Sequence, residues 1–349
     1  MHKMIFILTA FFLFCSCGEN KNQLNTQASS VNDSAVGKVE IYDPAALDLI
    51  DSNATIEVIA KGFEWSEGPV WIANKQMLLF SDVITNKIYQ WKEGDSATVY
   101  LTPSGYTGAK RNGGEDGSNG LALDKEGALL LCQSGNRQVV KMNAGLDSPK
   151  TDFTVLASTY NGKKFNSPND LVAGSRHTIY FTDPVYGLPE RENDPTRELN
   201  IEGVYKIDAN GKLSLLIDSI LRPNGVALSN DEKILYVASS DDTHPAWFAY
   251  DLDANGNIKS GGKLLDATAM KEKATVKRGA DGFKIDKYGN IFSSGPDGIN
   301  IISPAGKLLA LIKIYNRPTS NCAFNETKDI LYVTADDVVL KINLHPSVK

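Results

Sequence analysis

The sequence predicts an all-β protein, a six-bladed β-propeller whose last blade is closed by a strand from the N-terminal side. Three observations lead there. Short apolar strands recur in units of similar layout, at steps of 52, 50, 55, 57 and 40 residues counted from Glu67, Asn119, Asn169, Asn224, Asp281 and Asn321. Periods of this length with several strands per unit are the mark of propeller blades. No long amphipathic helix pattern interrupts the series, which argues against an α/β fold. The sixth unit stops one strand short at the C-terminus, while a spare strand stands ahead of the first unit at "TIEVIA", residues 55–60.

Composition agrees with a large soluble core. The chain has 349 residues, 42% hydrophobic and 22% charged, with a net charge of −6. All-β architectures often use this length for one domain. There is no Lys/Arg stripe, so no nucleic-acid partner is expected, and the chain is expected to act as a monomer.

The first 17 residues, "MHKMIFILTAFFLFCSC", have a short basic start and an apolar run of secretory rather than membrane-spanning length. The run ends at Ser16-Cys17, which resembles a lipobox with Cys17 as the lipidated residue; an ordinary cleaved signal is the alternative. The expected location is exported and lipid-anchored to a bacterial membrane, on its periplasmic or surface side, and this anchor is the only membrane contact expected. Residues 18–40, rich in Asn, Gln and Ser, are expected to form a disordered polar tether. The propeller is expected over residues 41–349.

Within the domain the units can be read strand by strand. After Asn119 come "GLALD", "ALLLCQ", "RQVVKMN" and "FTVLAS", joined by turns of Asp, Gly, Asn and Ser. The sixth unit has "CAF", "ILYVTA" and "VVLKINL" and then ends. Pairing "TIEVIA" with it would leave no open edge between first and last blades. Cys132 and Cys322 fall in strand-like runs with no CxxC or Cys/His cluster, so two buried free thiols are expected rather than a thiolate metal site.

Every unit opens on a side chain bearing an oxygen. Propeller blades place their first strands around the central channel, so these six residues converge. Two carboxylates and four amides form a hard-oxygen set suited to Ca²⁺, Mg²⁺ or Mn²⁺. For a single Asn, a hydrogen bond to its own turn is the plainer explanation. That explanation is weaker for the set, because Glu67 shares the position and Glu is not a favoured turn residue.

No other catalytic set is visible. His244 of "SSDDTHPAW" reads as a solvated loop residue, and no G-x-S-x-G elbow exists. "GGEDGSNG" is not a phosphate loop, since no Lys follows it. Residues ending the second strands, around Asp82, Gln133, Asp183, Asp241 and Asp242, are expected at the mouth. The longest insertions, residues 183–199 and 267–280, are candidates for a lid.

The segments "SEGPVW", "FNSPNDLV", "YFTDPVYGL", "RPNGVALS", "ADGFKIDKYGNIFSSGPDGINIISPAGKLL" and "NCAFNETKDILYVTA" resemble the senescence marker protein/gluconolactonase/luciferin-regenerating enzyme family, above all its bacterial gluconolactonases. The resemblance spans about residues 55–345. It implies a six-bladed propeller, one divalent cation in the axial channel and hydrolysis of sugar lactones. Its metal ligands fall on Glu67, Asn169, Asn224 and Asp281, and its general base on Asp281. Ca²⁺ is the first expectation for the cation, with Mg²⁺, Mn²⁺ or Zn²⁺ as alternatives. Asn119, Asp170, Asp183 and Asn321 are the expected substrate-binding residues, the two amides orienting hydroxyls without adding charge. Ser167 stands where related animal enzymes carry an Arg, so that substrate contact does not transfer. Two other readings stay open: a propeller hydrolase of aryl lactones or phosphoesters, and a non-catalytic module that binds a sugar acid or partner around a structural metal.

Overall fold

Strands that are apolar on both faces need neighbours on both sides, and this chain supplies them by arranging its sheets in a ring. The computed structural model describes residues 35–108 and 113–345. Cys17, the signal segment and most of the expected tether lie outside the described residues. The strands form six antiparallel blades, four of them built from consecutive strands alone. Blade 1 runs from Ser66–Ile72 to Thr98–Leu101, and blade 2 from Ser118–Leu123 to Phe153–Ala157. Blade 3 runs from Leu171–Ala173 to Leu213–Ile217, and blade 4 from Pro223–Leu228 to Ile258–Asp266. Blade 5 begins at Phe283–Ile285 and blade 6 at Asn321–Phe324. The first strand of each blade lies innermost, packed against the first strands of its two neighbours around the whole ring.

The expected closure is present. Strand Ile56–Lys61 pairs antiparallel with Val338–Asn343, with Ile56 opposite Ile342 and Lys61 opposite Val338. The domain reaches further toward the N-terminus than expected. Residues Gly37–Ile41 form a strand on the outer edge of blade 5, with Gly37 opposite Ile314 and Ile41 opposite Ala310. The domain therefore begins before residue 41. This edge strand alternates Lys38 and Glu40 with the buried Val39, so it reads as polar in sequence although it is paired in structure.

A separate apolar cluster fills the gap between each pair of adjacent blades, six in all. The period of two explains how one strand serves two gaps. In "MLLF" of blade 1, Met77 and Leu79 face blade 2 while Leu78 and Phe80 face blade 6. Likewise Leu129 and Leu131 face blade 1, and Leu130 and Cys132 face blade 3. Tyr332 of blade 6 stacks on Trp71 of blade 1 at 5.1 Å and meets Trp91 edge-on at 5.9 Å, which ties last blade to first. Cys132 and Cys322 are buried free thiols.

Candidate functional site

At the head of the inner strands the backbone departs from a plain ladder. Register shifts fall between Glu67 and Val70, between Ser118 and Leu121, and between Pro223 and Val226. Such bulges re-aim side chains, and here they present the repeated oxygen-bearing residues to the ring's interior. A glycine follows four of them, and close approach explains why. A Cβ on Gly68 would lie 2.1 Å from the carbonyl oxygen of Asn119, and one on Gly120 would lie 2.8 Å from that of Asn169. One on Gly225 would lie 2.5 Å from the Asp281 oxygen, and one on Gly282 would lie 2.0 Å from Asn321 Cγ. Each glycine thus makes room for the corresponding residue of the next blade.

Glu67, Asn119, Asn169, Asn224 and Asp281 meet on one cavity of about 130 Å³. Its mouth is formed by Trp65, by Tyr186 and Arg191 of the 183–199 insertion, and by Arg222. Lys271, Lys277 and Arg278 of the 267–280 insertion complete it. Both expected lid segments therefore reach the site. Arg191 and Arg222 both lie over the ring of Tyr186, 5.5 and 5.8 Å from its centre, and Arg278 lies 5.0 Å from that of Trp65. Arg222 is fixed by Glu192 at 3.0 Å and Asp242 at 2.6 Å.

The floor is acidic and dry. Glu67 and Asp281 are 3% and 7% exposed. Burial, then the Asp281 charge, pushes Glu67 well above the ordinary carboxylate range, and Asp170 and Glu115 add to the effect. Burial likewise pushes Asp281 up to about 7, although Arg278 and the Gly282 N–H act against it. Each carboxylate accepts one short-range bond, from Gly68 N–H at 2.9 Å and from Gly282 N–H at 3.0 Å. That leaves each with a second oxygen. Asn224 donates through Nδ2 to Ser240 at 2.9 Å, so its Oδ1 remains for a ligand. Among the described residues no three Asp, Glu, His or Cys side chains converge on a metal position. A cation here would be held by two carboxylates and the amide oxygens of Asn169 and Asn224. That hard-oxygen set fits Ca²⁺, Mg²⁺ or Mn²⁺ better than Zn²⁺, and two crowded buried carboxylates would be relieved by such a charge.

Three expected substrate contacts are elsewhere. Asp183 is wholly buried and accepts from the N–H groups of Asn166 and Ser167, both at 2.8 Å. Asp82 does the same in blade 1, accepting from Trp65 N–H at 3.1 Å. In blades 1 and 3 the acid ending the second strand is therefore a clasp for the loop that enters the first strand, whereas Asp242 of blade 4 lines the cavity as expected. Asn321 Oδ1 accepts from Cys322 N–H at 2.8 Å and from Lys284 Nζ at 3.3 Å, and its Nδ2 donates to Asp170 Oδ2 at 3.5 Å. Asn321 and Asp170 thus satisfy each other away from the cavity, where Asp170 acts on the site through its charge alone. His244 is in a loop turn, with its Nδ1 2.8 Å from Thr243 Oγ1.

Residue-level reading missed Glu115, Trp65, Ser240 and the mouth cations. A signal for some was present, since Trp65, Arg222 and Arg278 stand two or three residues ahead of the repeated positions Glu67, Asn224 and Asp281. Glu115 had none, because it lies in a loop that no other blade repeats.

The family description "SMP-30/Gluconolactonase/LRE-like region" matches residues 65–337. A gluconolactonase of Zymomonas mobilis is 37% identical over 317 residues, covering 90% of this chain and 88% of its own. Regucalcin of Xenopus laevis is 25% identical over 259 residues, covering 69% of this chain and 82% of its own. The structure of a gluconolactonase from Xanthomonas campestris superposes with a TM-score of 0.73 at 26% identity, covering 88% of this chain and 95% of its own. The ring of inner-strand oxygens thus lies inside a matched region that holds blades 1 to 4 whole, all of blade 5 but its edge strand and the two inner strands of blade 6, and the chain belongs to the SMP-30/gluconolactonase/LRE-like family.

Proposed function

We propose that this protein hydrolyses a sugar lactone to the corresponding sugar acid, with one divalent cation held by Glu67, Asn169, Asn224 and Asp281. The observation that carries the reading is the convergence of Glu67 and Asp281 with three amides on one cavity, in a chain 37% identical to a gluconolactonase. When bound, a divalent cation polarises the ester carbonyl and lowers the pKa of water. Asp281 keeps one oxygen free of the Gly282 N–H and takes the proton of the attacking water. Glu67, anchored to its own strand through Gly68, would serve as a fixed ligand to the cation at the floor. Asn119 orients substrate hydroxyls, and the cations at the mouth favour the negative charge that develops on the ester oxygen. Export and lipid attachment at Cys17 belong to the same proposal, supported by the apolar run that ends there.

The test is turnover of glucono-1,5-lactone by wild type, chelator-treated protein and Asp281→Asn. Asp281→Asn preserves shape and one oxygen ligand but removes the base. A loss of about 10² or more is expected, with an unchanged fold. Equal turnover before and after complete removal of divalent ions would end the metal-dependent reading. Near wild-type rates in Asp281→Asn would move the base elsewhere.

A further inference from the structure

Glu115 is an acid that the proposed reaction does not yet use. It lies in the loop leading into the inner strand of blade 2 and lines the same cavity as Glu67 and Asp281. Its carboxylate is hydrogen-bonded to Asn119, and its charge is felt by Arg191 and Arg278 at the mouth. It also acts on both Glu67 and Asp281 at the floor. Glu115 is therefore within electrostatic reach of both the floor acids and the mouth cations. Its Oε2 is buried and has no hydrogen-bond partner among the described residues. Neither Arg191 nor Arg278 forms an ion pair with it among those residues, and each instead lies over an aromatic ring.

A buried carboxylate oxygen without a donor is costly, and proteins rarely leave one so. A ligand that enters the cavity could satisfy it. A shared cation is disfavoured, because Glu115, Glu67 and Asp281 do not converge on one metal position. Ligand hydroxyl groups, entering through the mouth and lying above the floor, are neutral donors that suit a carboxylate oxygen there. We infer that Glu115 reads the hydroxyls of a polyhydroxylated lactone, accepting their hydrogen bonds at Oε2 while Asn119 holds the carboxylate in place. The inference rests on the lactonase reading and narrows it: the substrate class is one with ring or tail hydroxyls, and a bare lactone ring gains nothing from this residue.

The experiment compares wild type, Glu115→Gln and Glu115→Ala, each loaded with Ca²⁺, on glucono-1,5-lactone and on δ-valerolactone, which has no hydroxyls. Hydrogen bonds to a charged acceptor correspond to losses of about 10- to 100-fold. Expected is a fall of that size in kcat/KM for gluconolactone, a change of under about 3-fold for δ-valerolactone, and an unchanged Ca²⁺ content. Glu115→Gln keeps the shape, so its melting temperature separates a specificity effect from misfolding. Calorimetric binding of D-glucitol, an unreactive polyol, should weaken in parallel. Equal losses on both lactones, loss of Ca²⁺ from Glu115→Gln, or unchanged glucitol binding would each overturn the assignment. If wild type hydrolyses neither lactone, the lactonase reading fails, and glucitol binding still decides the role of Glu115.

Discussion

Adding one methyl group at Gly225 should damage the site more than the fold. Gly225 follows Asn224 at the head of blade 4, and a Cβ there would meet the backbone of blade 5. The contacts are 2.5 Å to the Asp281 carbonyl oxygen, 2.7 Å to Phe283 Cδ1 and 2.9 Å to Gly282 Cα. Two of the three are backbone atoms, which cannot swing aside. Restoring an ordinary 3.4 Å from 2.5 Å requires an opening of about 0.9 Å, taken up largely by the segment that carries Asp281. Overpacking of this kind costs about 1–3 kcal/mol. It is offset in part by the smaller unfolded-state entropy of Ala, worth about 0.4–1 kcal/mol. A net loss of about 1–2 kcal/mol lowers the melting temperature by only a few degrees in a domain of this size. Misplacing a reacting group by about 1 Å, however, can cost about 10² in rate. The assay is a pH-stat measurement of glucono-1,5-lactone hydrolysis beside a melting curve, with Gly262→Ala as control, since no atom lies within 4 Å of a Cβ at that position. Wild-type turnover in Gly225→Ala would refute the argument that these glycines set the position of the ring residues.

Two further outcomes follow from the same structure. Removing residues 1–34 should leave the melting temperature unchanged, whereas removing 1–61 strips the closing strand from blade 6 and should lower it by about 10 °C or more; equal melting of the two would refute closure. Asp183 offers a pH test. Burial pushes its carboxyl up to about 7 against the opposing Asn166 and Ser167 amides and Arg137, while an unfolded Asp titrates near ~3.9. The folded chain therefore holds this proton more tightly, so the group's contribution is full below about pH 4 and is lost as pH rises through about 7. Asp183→Asn cannot titrate, so the stability gap between wild type and this variant should shrink by roughly 2 kcal/mol from pH 5 to pH 8. Denaturant melts showing a constant gap would refute the assignment.

The blades were legible because burial on both faces leaves uninterrupted apolar runs, such as "MLLF" and "LLLCQ", between polar turns. The ring was legible because it repeats. Five of the six repeated positions share the cavity, while Asn321 is turned to Asp170, and no one-dimensional pattern distinguishes those two orientations. Asp183 misled because clasping backbone amides and binding a ligand both call for a carboxylate at a strand end. Glu115 escaped because its importance depends on one loop that blade 2 alone possesses. The strand Gly37–Ile41 escaped because a paired edge strand with one buried position, Val39, has the composition of a linker.

The closing strand has a consequence for the order in which the molecule assembles. Ile56 must find Ile342, far along the chain and beyond all six inner strands. Every other blade apart from the fifth, whose edge is covered by Gly37–Ile41, can zip up from strands that are neighbours in the chain. Until Val338–Asn343 has been made, Ile56–Lys61 has no partner, and the inner strand of blade 1 has no blade 6 against which to pack. Closing a loop of this length is a slow, late event. Glu67, on blade 1, and Asp281, on blade 5, flank blade 6 in the ring, so their approach is fixed in the same step. A strand made before all six inner strands thus acts as a clasp that waits for one made after them, and the ring of oxygens at the axis is complete only when the two meet.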